Sequence, residues 1–167
     1  LFGAALIYGA TGHTGFVAVG AAIRGGHVPV MLVVLGLAML VAGLGFKVSA
    51  VPFHMWTPDA YEGAPTPTTA FMSVVVKTAA FAVFVRLLLV GFGDELSASA
   101  NGWPAIISGL AAITMVYGNL AAVGQTSVKR MLAYSSIAHA GYLLLGLAAV
   151  AKVPAEAIGG ILFYLAA

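Results

Sequence analysis

The chain has 167 residues, of which 62% are hydrophobic and 7% charged, with 21 glycines, no cysteine and a formal net charge of +2. A soluble domain carries about 25% charged residues, so this is the composition of a membrane protein, and its Gly and Ala suit helices that approach closely in lipid. The missing cysteine excludes disulfides, thiolate chemistry and Cys-ligated iron–sulfur clusters, and so small a charge gives no basis for nucleic-acid binding.

Leu1 to Ala10 reads as the end of one spanning helix. No charged segment or small-residue cleavage site precedes it, so it does not read as a signal peptide. The chain is expected to be an internal piece of a larger polytopic protein, with partners for its buried charges outside the piece. Within it, Leu6-Ile7-Tyr8-Gly9-Ala10-Thr11-Gly12-His13-Thr14-Gly15 imitates the strand and glycine loop that cradle a dinucleotide pyrophosphate, and Arg24 imitates a contact for a 2′-phosphate. The context opposes that reading, because a membrane-length apolar run follows where a soluble strand–helix–strand unit is needed. Thr11 to His27 is therefore expected to be a Gly- and His-punctuated loop between spans.

Val28 to Phe46 is an uncharged run of 19 residues, about 28 Å of helix. Lys47, Ser49 and Pro52 follow. Pro52 lacks a donor and its ring clashes with the carbonyl of Val48, so the helix must break beside Lys47. Broken backbone at membrane depth is tolerated only inside protein or against a hydrated cavity. Thr57-Pro58-Asp59 has the pattern of an N-cap with proline at the first helical position. Gly63, Pro65 and Pro67 mark a loop. Pro67 to about Leu89 is a span, with Lys77 near its midpoint and Arg86 near its end. Gly91 to Asn101, with Asp94 and Glu95, reads as an aqueous loop. Trp103 to Val123 is a span whose Trp sits where an interfacial anchor would. Gln125-Thr126-Ser127 is a turn, Val128 to Val150 a span, and a further helix starts after Lys152 and Pro154. Arg24, Arg86 and Lys152 fall on one side and Lys129 and Arg130 on the other, too even a split for positive residues to fix orientation.

The polar residues inside the spans are the candidates for function. A lysine at mid-bilayer costs about 2.5–3.5 kcal/mol on insertion scales and stays only where it pairs, meets water or handles charge. Full burial disfavours a charged amine strongly enough to let a lysine gain and lose a proton near neutral pH. Lys77 has about ten residues of helix on either side, too many for its side chain to reach an interface. Lys47 can snorkel if the membrane ends near residue 49. Ser73, four residues before Lys77, shares its face on a regular helix and is expected to contact the amine or a water. His54 lies two residues beyond Pro52, and His139 closes a polar stripe of Tyr134, Ser135 and Ser136. Both histidines are candidate proton relays, against the alternative of ordinary hydrogen-bonded residues. Ser73 and the stripe are candidate polar lining. Asp59 and Glu62 are expected in an aqueous loop or subunit contact, and no spacing suggests a metal site.

Phe46-Lys47-Val48-Ser49-Ala50-Val51-Pro52-Phe53-His54-Met55-Trp56-Thr57-Pro58-Asp59-Ala60-Tyr61-Glu62-Gly63-Ala64-Pro65-Thr66-Pro67 closely resembles the signature of the antiporter-like subunits of respiratory complex I. Its wording is most similar to the N subunits of proton-pumping NADH:quinone oxidoreductases. Lys77 and the run Ser127-Val128-Lys129-Arg130-Met131-Leu132-Ala133-Tyr134-Ser135-Ser136-Ile137-Ala138-His139 agree with it. The resemblance implies an all-α polytopic bundle of about fourteen transmembrane helices, with two inverted five-helix repeats and a broken helix in each. Residues 1–167 would be one membrane domain, from the end of the sixth helix to the start of the eleventh. Lys47 would be the lysine of the broken seventh helix and Lys77 that of the eighth, on a central hydrophilic axis. The partner glutamate and a further lysine would lie outside this piece, and residues 59–66 and 124–130 would face the cytoplasm. The implied role is proton translocation within complex I. No cofactor is expected in this chain, whereas NADH, FMN, iron–sulfur clusters and quinone would belong to partner subunits. Expected partners are other membrane subunits and the lipid bilayer, with no nucleic acid. The Ala/Gly/Val bias favours a bacterial plasma membrane. Alternatives are an antiporter-like subunit of a cation/proton exchanger or membrane-bound hydrogenase, and a structural scaffold with inert lysines.

Overall fold

The computed structural model describes residues 1–93 and 102–166, and all regular elements among them are helices. Asp94 and Glu95, expected in an aqueous loop, lie outside the described residues. Helix α1 (Phe2–Thr11) ends where Gly12 takes φ 71°, and α2 (Phe16–Arg24) leaves it at 52°. This corrects the loop expected over Thr11 to His27. Gly12 and Gly15 do punctuate the chain, but Val19, Gly20 and Ile23 present one buried face between them, enough to fold a short helix. The Leu6 to Thr11 stretch is helical where a dinucleotide fingerprint requires a strand.

Helix α3 (Val30–Val48) stops at the residue whose carbonyl Pro52 would strike, and Ser49 closes it in the left-handed region at φ 67°. Turns over residues 51–55 lead into α4 (Trp56–Gly63). The expected N-cap at Thr57 is corrected: α4 starts two residues earlier than that cap implies, with Met55 as its cap. Thr57 is fully buried, and its hydroxyl donates to Ser49 Oγ across the break at 2.6 Å instead.

Helix α5 (Thr66–Gly91) is one span of 26 residues, interrupted by π-helical turns at Met72–Val76 and Leu87–Gly91. Helices α6 (Trp103–Val123) and α7 (Val128–Ala149) form the most extensive pair, and α8 (Pro154–Ala166) packs against α7. Their seam relies on glycine: a Cβ on Gly118 would stand 2.7 Å from the Ala138 backbone nitrogen, and one on Gly141 2.8 Å from that of Met115. Only small residues let helix backbones come so close. Trp103 differs from the interfacial anchor expected of it. Its indole is buried in the core cluster with Ile107, Ala111 and Leu147, so packing, not a water interface, fixes it.

Helices α3, α5, α6 and α7 are each long and apolar enough to cross a membrane, and the bent α1–α2 pair makes a fifth such unit. The connection after Gly63 and the α6–α7 turn lie at the same end, where Lys129 Nζ donates to the Ala64 carbonyl at 3.3 Å.

Candidate functional site

Two interruptions of regular helix carry the polar chemistry. The first is the break after α3. The Val51 N–H, left without an intrahelical acceptor, donates to Thr114 Oγ1 at 3.0 Å, and Thr114 in turn donates to the Leu110 carbonyl at 2.6 Å. Thr114 is fully buried and is the twelfth of the 21 residues of α6, so the break lies at that helix's mid-depth. Ser49 and Thr57 pair across the break, and Trp56 Nε1 donates to the Phe46 carbonyl at 3.0 Å. Freed backbone and hydroxyls are thus satisfied internally, as apolar surroundings demand. His54 is buried with its ring edge-on to Tyr117 at 4.5 Å, and its Nδ1 has no partner among the described residues. Tyr117 continues to Tyr134 at 6.4 Å between ring centres. Lys47 occupies the last turn of α3 on an exposed face and makes no hydrogen bond among the described residues.

The second interruption is the π turn over Met72–Val76, directly before Lys77. Lys77 is 6% exposed, and its Nζ donates to the Ser136 carbonyl at 2.7 Å and to Ser136 Oγ at 2.6 Å. No carboxylate pairs with it among the described residues. The expected contact with Ser73 is corrected: Ser73 Oγ donates to the Ala70 carbonyl at 2.9 Å. Ser73 still lines the same cleft as Lys77, but its hydroxyl is taken up by a carbonyl of its own helix.

Two clefts open beside Lys77, and Ser73, Ser136 and His139 line both. One, of about 440 Å³, extends to Tyr61, Ser135 and Lys129 at the end of α7; the other, of about 410 Å³, contains Lys77 and reaches Tyr164 on α8. Together they form a largely apolar groove, dotted with hydroxyls and His139, from one end of the bundle to the mid-span lysine. His139 hydrogen-bonds Tyr164 through Nδ1, and Tyr142 packs edge-on to both rings. Ser135 and Ser136 are half-buried along this groove side of α7, whereas Tyr134, also half-buried, lines neither cleft and packs near Tyr117.

At the mouth, Arg130 Nη1 donates to Asp59 Oδ1 at 2.8 Å and to Glu62 Oε2 at 2.9 Å, tying α4 to the start of α7. The Arg130 hydrogen bond, helped by one from Ser127, holds the Glu62 carboxyl below the usual range. Asp59 and Glu62 therefore hold two helices together at an exposed end.

Sequence reasoning missed Thr114, Tyr61 and Tyr164. Thr114 and Tyr164 are hydroxyls on apolar helices and Tyr61 one on the polar α4, and only their tertiary neighbours set them apart from other hydroxyls.

The whole chain, residues 1–167, matches the family described as NADH:quinone oxidoreductase/Mrp antiporter, transmembrane. It is 56% identical to the NADH-quinone oxidoreductase subunit N 1 of Sorangium cellulosum over 100% of this chain and 34% of that protein. It is 51% identical to the subunit N of Desulforamulus reducens over 98% of this chain and 33% of that protein. The chain thus spans about a third of the length of the curated relatives it matches. Among solved structures it resembles respiratory complex I from Thermus thermophilus (43% identity, TM-score 0.73), covering 98% of this chain and 33% of that one. It also resembles the Mrp complex from Dietzia (28% identity, TM-score 0.83), covering 98% of this chain and 28% of that one. Its apolar spans and this match make it an integral, multi-pass membrane protein. With every residue matched, the chain belongs to the transmembrane family of NADH:quinone oxidoreductases and Mrp antiporters.

Proposed function

We propose that residues 1–167 form one membrane domain of a proton-translocating N subunit of NADH:quinone oxidoreductase. The subunit would sit among other membrane subunits in a bacterial plasma membrane. The observation that carries this is Lys77: a buried mid-span amine, seated on the neutral oxygens of Ser136, at the inner end of a groove into which Ser73, Ser136 and His139 project. An amine so held exchanges a proton with the groove without breaking an ion pair. Lys47, exposed beside the broken helix, is the proposed partner of a carboxylate elsewhere in the full subunit. His54 and His139 are the proposed relays, and Ser73, Tyr134, Ser135 and Ser136 the proposed lining. The groove mouth at residues 59–66 and 124–130 would face the cytoplasm. NADH, FMN, iron–sulfur clusters and quinone would act in partner subunits, with no cofactor here. Moving one proton against 100 mV takes about 2.3 kcal/mol, a scale that changed pairing at a buried amine can match.

A cation/proton antiporter subunit is the second reading. The higher TM-score to the Mrp complex favours it, and the higher sequence identities to the N subunits and to complex I oppose it. Identity weighs more here, because the shared fold accommodates both activities. Lys77→Ala in the assembled complex, assayed for NADH-driven pumping in inverted membrane vesicles, is expected to remove most proton transfer. Pumping at the wild-type rate would leave only the scaffold reading.

A further inference from the structure

We infer that Tyr164 is the proton-transfer group that carries protons from the Lys77 cleft across α8, an inference that rests on the proton-translocating reading above. The polar groups lining that cleft are Ser73, Lys77, Thr78, Ser136, His139 and Tyr164. Two are committed to their own helix: Ser73 donates to the Ala70 carbonyl at 2.9 Å and Thr78 to the Val74 carbonyl at 2.8 Å. Ser136 is occupied by two of the three donors of Lys77. His139 and Tyr164 remain, and they are hydrogen-bonded to one another. From α8, only Tyr164 and Leu165 line the cleft, so Tyr164 is its one polar contact with that helix. Tyr164 as a whole is 40% exposed, and its hydroxyl meets His139 on the cleft side. Tyr142 sets the orientation of both rings, with centroids 5.7 Å from His139 and 6.4 Å from Tyr164, and Asn119 Nδ2 holds the Tyr142 hydroxyl at 3.3 Å.

The step balances without a charged tyrosine. A proton from the Lys77 side binds His139 Nε2, and the proton on Nδ1 passes to the Tyr164 oxygen. As that O–H bond forms, the original Tyr164 O–H bond breaks and its proton leaves to a water or a base next to the hydroxyl. Both side chains end neutral, with the imidazole in its other tautomer.

The test uses the full-length chain in its assembled complex, in inverted membrane vesicles. Tyr164→Phe keeps the ring packing and removes only the hydroxyl. Expected are normal assembly, NADH-driven pumping slowed roughly tenfold, and a larger solvent deuterium isotope effect on what remains. The loss falls short of the 10²–10⁴ typical of a positioned acid–base group, because water can substitute in part. Wild-type pumping in Tyr164→Phe overturns the assignment while leaving the Lys77 reading intact, since that reading fails only if Lys77→Ala pumps normally. If Tyr164→Phe does not assemble, His139→Gln decides: its amide can hydrogen-bond Tyr164 but cannot exchange protons between two ring nitrogens. Unchanged pumping in His139→Gln overturns the inference, and a comparable loss with a raised isotope effect supports it.

Discussion

Replacing Gly118 with Ala should damage both the stability of the bundle and the lysine seat it supports. A Cβ there would lie 2.7 Å from the backbone nitrogen of Ala138, 3.0 Å from its Cα and 3.1 Å from its Cβ. Heavy atoms prefer about 3.5 Å or more, so the two helices must part by roughly 0.8 Å (3.5 − 2.7), and no rotamer change relieves a clash with backbone. Overpacking of this kind costs about 1–3 kcal/mol. Ser136 lies two residues before Ala138, about 3 Å along the same helix. If α7 moves and Lys77 does not follow, its bonds of 2.6 and 2.7 Å to Ser136 stretch past 3.2 Å, where hydrogen bonds weaken. Gly109 provides the control, because it lies on the same helix and a Cβ there would meet nothing within 4 Å. Gly109→Ala gains about 1 kcal/mol of helix propensity and clashes with nothing. Thermal inactivation of the detergent-solubilised complex and proton pumping in vesicles are the assays. Gly118→Ala should lower both the inactivation midpoint and the pumping rate, and Gly109→Ala neither. Matching behaviour of the two variants in both assays would refute the claim that the α6–α7 contact sets the position of Ser136.

Three further outcomes are expected. Thr114→Val strands the buried Val51 N–H and should cost about 1–3 kcal/mol, whereas Thr114→Ser retains the acceptor and should recover most of the stability; equal losses would show that the hydroxyl does not hold the break. Ser73→Ala should leave pumping within about twofold of wild type because that hydroxyl bonds Ala70. Ser136→Ala removes one hydrogen bond of an ammonium, worth about 1.5–3 kcal/mol, and should slow pumping roughly tenfold or more; the reverse order would restore Ser73 as the lysine's partner. Glu62 has a folded-state pKa held below its ordinary 4.5 by Arg130 and Ser127. Its contribution to stability is complete above about pH 4.5 and disappears as pH falls through the lower folded value. The difference in thermal stability between wild type and Glu62→Gln should therefore shrink on acidification below that point, and a difference that stays constant down to pH 3 would contradict the Arg130 clamp.

The long spans and the break were legible because each has a local cause. Hydropathy over about 20 residues identifies a crossing helix, and Pro52 stops α3 by a clash four residues back. The π turn before Lys77 had no such signal: Met72-Ser73-Val74-Val75-Val76 contains neither glycine nor proline, and its apolar pattern reads equally well as α-helix. Ser73 was expected at the lysine, yet its hydroxyl bonds the Ala70 carbonyl of its own helix, and the lysine's partner Ser136 comes from 59 residues away in sequence. Helix α2 was hidden by its glycines, which cap short helices as readily as they make loops. Thr114 and Tyr164 were illegible for another reason, since their partners lie 63 and 25 residues away in sequence and nothing local distinguishes them from other hydroxyls. Membrane composition reveals which segments cross; the contacts that make a few polar atoms functional are tertiary.

Both irregular segments are referenced to the same two helices. The break after Lys47 hangs on Thr114 of α6 through the Val51 N–H, and Lys77 hangs on Ser136 of α7. Gly118, one turn beyond Thr114, meets Ala138, half a turn beyond Ser136. One of the two tight glycine contacts of the α6–α7 pair therefore lies between the two anchor points, and the other, Gly141 on Met115, lies beside Thr114. Separating these helices would displace both anchors at once, while shifting α4 or the π turn alone would disturb only one. On the proposed reading, a proton path with two lysines on separate irregular elements needs their spacing fixed. The glycine seam supplies that spacing, because it holds together the two helices that carry both anchors.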